Sequence, residues 1–244
     1  MSKYNTVFKH ELKRIGSDNL FLVMAFYPIL LVLGARFFVP YIRNAFLSPS
    51  FDLANHYATI MAFFILVNPY IYGALSAFMV LDDREERTIQ AVQVTPLKIT
   101  DYLNIRISLI VIISIISGVI VTMLANLLPI TVTQAIIINT LISLAAPFNM
   151  VFINNLAKNK VEGFAIVKGS GVLMMVPLIA YYIPQKFSLL AGTIPGYWPA
   201  MAIGRIANSD FGIMPYWAYS LIGFAYIIVL IALMYKQFNK RLVK

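Results

Sequence analysis

The chain has 244 residues, 60% of them hydrophobic and 12% charged, where an ordinary soluble domain is roughly 45–50% apolar and about 25% charged. At about 20 residues per crossing helix the apolar residues suffice for six membrane spans, and the remaining tails and loops leave no room for a separate catalytic domain. The lack of cysteine excludes disulfides, thiolate nucleophiles and Cys-ligated metals, and a net charge of +9 in so apolar a chain points to a membrane surface, not to nucleic acid.

Residues 1–19 form the first element. Tyr4, Val7, Phe8, Leu12 and Ile15 recur at helical spacing, with Lys3, Lys9, His10, Lys13 and Arg14 on the remaining surface. This predicts a basic amphipathic helix lying in the membrane interface. The first apolar run begins at Leu20, has no small-residue cleavage site after it, and reads as a retained span over 20–38. A second span covers 57–81 without a charge.

The polar stretch 82–101 follows as a short exposed helix ended by Pro96. Asp82, Asp83, Glu85 and Glu86 would sit solvated at its start, where the helix dipole favours negative charge. No charge occurs between Arg106 and Lys158, a run too long for one crossing, and Pro129 marks the turn between spans over 103–128 and 132–153. The loop from Asn154 to Gly163 leads into a fifth span over 164–183.

Between 185 and 215 the chain is apolar but broken by Pro195, Pro199 and several glycines. It predicts one or two short helices that dip into the membrane from outside without crossing. Gly192, Gly196, Ala200 and Gly204, four residues apart, would line one helical face; a loop loosened by glycine and proline is the alternative. The sixth span, over 217–235, ends in Lys236, Lys240, Arg241 and Lys244.

With six spans, 15 of the 19 Lys and Arg residues fall on the side of the two termini and the two polar loops. The positive-inside rule makes that side cytoplasmic. The fold class is therefore an all-α integral membrane protein. It has six transmembrane helices, an N-terminal interfacial helix, a cytoplasmic loop helix and a re-entrant external segment before the last span.

Ile89, Val92 and Leu97 would project from a polar loop that has no core to bury them, which suggests a docking surface for a partner. The run Arg84-Glu85-Glu86-Arg87-Thr88-Ile89-Gln90-Ala91-Val92-Gln93-Val94-Thr95-Pro96-Leu97 resembles the first cytoplasmic loop of type-2 permeases of ATP-binding-cassette (ABC) transporters. That family shows acidic residues, Gly-Thr, an aliphatic residue, Glu, two or three apolar positions and then Thr-Pro-Leu. Glu85, Glu86, Thr88, Ile89, Val92, Thr95, Pro96 and Leu97 match it; Arg87 stands where Gly is usual and Gln90 where Glu is usual. Asn159-Lys160-Val161-Glu162-Gly163-Phe164-Ala165 is similar to the family's segment before the fifth span.

The resemblance implies that the first loop is a coupling helix seated on a separate ATPase subunit, to which Glu85, Glu86, Arg87, Thr88, Ile89, Gln90, Val92, Thr95, Pro96 and Leu97 bind. Lys158, Lys160 and Glu162 would make secondary contacts. It also implies a second permease copy or homologue, membrane lipids as surroundings, and the plasma membrane of a bacterium as location. The chain itself would bind no cofactor and no metal, with ATP and Mg held by the partner. A P-loop is missing, since Lys168-Gly169-Ser170 has Lys and Gly in the wrong order. The function implied is export of a hydrophobic or amphipathic peptide, lipid or drug.

Intramembrane polar residues are candidates for a substrate path because hydrocarbon makes their exposure costly. Asn68 beside Pro69 is the strongest, as a path-lining kink, with Phe63 and Tyr72 on the same span and Asn149 on the fourth. Two other readings stay open: a Mg-dependent membrane transferase using Asp82 and Asp83, and a secondary carrier. No acid lies in a predicted span, which weighs against a carrier driven by protons or sodium.

Overall fold

Hydrocarbon offers no water to satisfy backbone amides and carbonyls, so an apolar run can cross it as a helix that pairs all of them internally. The computed structural model describes residues 3–17, 26–89 and 98–242. Among them no strand occurs, and six helices are long and apolar enough to cross a membrane. In chain order the elements are α1 (Lys3–Ser17), α2 (Tyr27–Phe46), α3 (Leu53–Glu85), α4 (Ile99–Ala125), α5 (Val132–Leu156), α6 (Lys160–Ile179), α7 (Tyr197–Ala207) and α8 (Tyr216–Leu242).

Several boundaries differ from the sequence reading for local reasons. The α2 helix continues past the expected end at Phe38 to Phe46, with Phe37, Phe38, Tyr41 and Phe46 exposed on its outer part. Its turn Gly34–Phe38 is π-helical and ends two residues before Pro40, whose missing N–H and ring disrupt an ordinary α turn. The α3 helix begins with a 3-10 turn, Leu53–His56, where the Asp52 side chain accepts from the Ala54 N–H, and runs on to Glu85. Asp82, Asp83 and Glu85 therefore close a spanning helix and do not open a separate solvated one.

The central element is α3, buried along most of its length and touching α4, α5, α6 and α7. Its approach to α5 is set by Gly73, where an added Cβ would lie 2.6 Å from the Ala146 carbonyl oxygen and 2.8 Å from Asn149 Cβ. Such small residues let backbones meet where no hydrophobic force draws helices together in lipid. The α5 helix breaks at Leu144, three residues before Pro147, and α6 breaks at Met174 and Met175 just before Pro177. By contrast with α3, α6 lies mostly on the outside of the bundle, with 11% of its apolar window buried.

Within 185–215, α7 has 11 residues and so spans about 16 Å, half of what a crossing requires. It is nonetheless buried, with Tyr197, Ala200, Met201, Ala202 and Ile203 at most 1% exposed. Gly196 caps it at φ 102°, a conformation open to glycine, and Gly192 lies in a preceding 3-10 turn. The four-residue repeat thus does not form one continuous helical face: Ala200 and Gly204 share α7, and the two earlier glycines shape its entry.

Candidate functional site

The end of α3 carries a buried ionic cluster that joins three elements. Arg106 of α4 is fully buried and donates from Nε and Nη2 to the two carboxylate oxygens of Glu11 in α1, at 2.8 and 3.1 Å. Its Nη1 donates to Asp83 Oδ2 at 2.6 Å. Arg14 reaches the other Asp83 oxygen at 2.5 Å, and the Tyr102 hydroxyl donates to Oδ2 at 3.0 Å. Glu11 and Asp83 are fully buried, so two acids and two guanidinium groups neutralise one another out of water. Burial works against the charged form of Arg14, but the hydrogen bond and charge of Asp83 outweigh it and hold the guanidinium more firmly protonated than usual.

The sequence reading missed this cluster. Glu11 and Arg14 stand three apart in α1, and Tyr102 and Arg106 four apart in α4; these spacings put each pair on one helix face and were the available signal. The expectation that no acid is buried at a span is corrected, because the α3 helix outlasts its apolar run and carries Asp83 inward. In α1, Glu11 faces the protein, while Phe8 and Leu12 are over 40% exposed. Asp82 and Asp83 are held by Lys160 and by Arg14 and Arg106. Those contacts disfavour the magnesium-binding reading of the two carboxylates.

The two loops on this face are tied together. Lys160 donates from its backbone N–H to Glu85 Oε1 at 2.9 Å, and its Nζ lies 2.8 Å from Asp82 Oδ1. Asn159 caps α6 through the Glu162 N–H, and Glu162 accepts from the Lys158 N–H at 2.8 Å. Arg84 lies over the Phe238 ring of α8 and donates to the Asn154 carbonyl. Glu85, Glu86 and Arg87 remain exposed, Thr88 is half-buried, and Ile89 is buried, against the expectation that it projects outward. Arg87 ends the helix at φ 60°. Gln90, Val92, Thr95, Pro96 and Leu97 lie outside the described residues.

Asn68 does not line an open path. It is fully buried, donating to the Ser114 carbonyl at 3.0 Å and accepting from Ser117 at 2.8 Å, and so fastens α3 to α4. The helix continues through Pro69. Phe63 is half-buried beside Phe64, with ring centroids 5.9 Å apart, and Tyr72 is buried at 4% exposure. Asn149 alone among the four path candidates lines a cavity of ≈ 210 Å³ between α3, α5, α6 and the turn before α7. Tyr70, Phe148, Phe152, Ser170 and Thr193 surround it there. Tyr70 braces the wall by donating to the Val167 carbonyl and bonding Ser170 at 2.8 Å. The pocket is thus aromatic with a few hydroxyl and amide groups, a lining suited to an apolar or amphipathic molecule.

Residues 11–235 match the family described as fluoroquinolones export permease protein Rv2686c-like. Among curated proteins, the fluoroquinolones export permease proteins of two Mycobacterium tuberculosis strains, CDC 1551 / Oshkosh and ATCC 25618 / H37Rv, are each 27% identical to the chain over 237 residues, covering 96% of it and 92% of the relative. No solved structure matches. A bundle of spanning helices over the same residues agrees with a multi-pass transport subunit, and the chain belongs to the Rv2686c-like family of export permeases.

Proposed function

We propose that the chain is the transmembrane subunit of an ATP-driven exporter with type-2 ABC architecture in a bacterial plasma membrane, both termini cytoplasmic. A separate subunit binds ATP and Mg and hydrolyses the nucleotide; this chain supplies the path. The match of residues 11–235 to an export permease family carries this reading. The substrate class is hydrophobic or amphipathic, with fluoroquinolones, named for the two relatives, as the first to test.

The coupling loop starts where α3 ends, and the buried cluster of Glu11, Asp83 and Arg106 supports a rigid link from it to α1 and α4. A partner seated on Glu85, Glu86, Arg87 and the loop beyond, through Gln90, Val92, Thr95, Pro96 and Leu97, would move these helices together. Lys160 and Glu162 serve this indirectly, by holding the second loop against the first, and the Lys158 side chain is exposed for a partner to contact. The cavity at Asn149 is smaller than the roughly 300–1,000 Å³ of sites for drug-sized ligands. Its opening beside the poorly covered α6 supports a second copy completing the enclosure.

Export is tested by coexpressing the chain with its ATPase and measuring cellular accumulation of a fluorescent fluoroquinolone. Accumulation should fall, and Asn149→Leu should restore it without lowering the amount of inserted protein. Unchanged accumulation with a complex that hydrolyses ATP would refute that substrate. Failure to copurify any P-loop subunit from native membranes would refute the ABC assignment.

A further inference from the structure

The cleft between α2 and α4 belongs neither to the loop face nor to the cavity at Asn149. Its volume is ≈ 440 Å³, against roughly 30 Å³ for one water molecule in the liquid. Ile29 and Leu33 form one wall, Ile113, Ile116, Ile120 and Leu124 the other, and Tyr72 of α3 the floor. Only 17% of the α2 apolar window is buried, so the cleft opens toward lipid.

From Ile113 to Leu124 the cleft runs about 16 Å along α4 at 1.5 Å per residue, the depth of one leaflet in a core about 30 Å thick. Its shallow end lies at the α4 terminus nearest the 47–52 loop, outer in the orientation proposed above. Arg36 stands there on the π-helical turn, its side chain exposed and its Nη1 donating to the Leu124 carbonyl at 3.2 Å. Among the described residues no carboxylate pairs with it. Exposed Tyr41 follows, a residue type enriched at headgroup depth.

We propose that this cleft holds one acyl chain of an anionic phospholipid, with the lipid phosphate on Arg36. An apolar slot one leaflet deep, ending at a cation without a carboxylate, is complementary to that molecule in length and in charge. A neighbouring helix is a poorer occupant, since its apolar face would leave Arg36 without an anion. The assignment is independent of what the protein exports.

The test uses the full chain in nanodiscs containing a trace of phosphatidylglycerol with a diazirine at mid-chain, and mass spectrometry of the labelled peptides. Label is expected on 29–33 and 113–124. It should fall about fivefold for Arg36→Gln, the worth of one interfacial cation toward an anionic lipid, and fall similarly when a phosphatidylcholine probe is used. Ile116→Trp, at a site 56% exposed and so tolerant of bulk, should abolish the label by filling the slot. Equal labelling by both lipids, no effect of Arg36→Gln, absence of label from these peptides, or full competition by glycerol phosphate would each overturn the proposal. Since the chain has no native cysteine, Ile120→Cys offers a further check, and oxidative dimerisation through it would show a second copy in the cleft instead.

Discussion

Removing the Arg106 guanidinium should destabilise the bundle more than removing any other charge in it. Arg106 is the only group of the cluster that contacts both acids, through three hydrogen bonds of 2.6 to 3.1 Å. In Arg106→Met, Glu11 and Asp83 stay buried with Arg14 as the remaining cation, and of the two acids that residue touches Asp83 alone. Deleting one partner of a buried pair costs about 3–5 kcal/mol, because the charge left behind cannot regain its water. Asp83→Asn is milder, about 1–3 kcal/mol, since the bidentate Arg106–Glu11 pair survives.

The assay is unfolding in mixed detergent micelles, followed by helical circular dichroism, for Arg106→Met, Asp83→Asn and the double variant. The two residues touch, so the double variant should lose less than the sum of the singles, by an interaction energy of about 0.5–3 kcal/mol. A loss below about 1 kcal/mol for Arg106→Met, or a larger loss for Asp83→Asn, would refute the view that Arg106 neutralises both carboxylates.

Gly73→Ala should cost about 1–3 kcal/mol by overpacking, because the new methyl meets the Ala146 backbone oxygen at 2.6 Å and backbone cannot rotate away; the same unfolding assay checks it. Arg87→Gly should raise stability by about 1 kcal/mol, since Arg87 has φ 60°, a left-handed conformation that costs an L side chain; a fall in stability would mean that its side chain holds the helix end. The Asp52 carboxyl is held at about 2 from 3.8, first by the Arg43 hydrogen bond and then by the Ala54 N–H. Its pKa is depressed on folding, so the stabilisation is full above pH 4 and lost as pH falls through about 2. Arg43→Gln should move the Asp52 midpoint upward in a carboxyl NMR titration, and an unmoved midpoint would remove Arg43 as the cause.

The spans were legible because each long crossing carries its own evidence: an apolar run of sufficient length with polar ends. The cluster was not, because its members are distant in sequence, Glu11 and Arg106 lying 95 residues apart and Arg14 and Asp83 lying 69 apart. Taken singly, Arg14 and Arg106 are the basic residues that any interfacial helix or span end carries. Asp82, Asp83 and Glu85 misled for a related reason. Local electrostatics places acids at helix N-termini, whereas here cations brought from α1, α4 and α6 hold two of them at a C-terminus. Asn68 was recognisable as a polar group in hydrocarbon, but whether it faced a path or a neighbour depended on Ser114 and Ser117 standing opposite in α4. Arg87 shows the converse, a local feature that one chain position explains. The resemblance gives glycine as usual there, and the φ of 60° is the physical reason for that preference. An arginine at that position carries a backbone cost that its exposed side chain does not offset within the fold, so the Arg87→Gly measurement separates a merely strained helix end from one that the side chain holds.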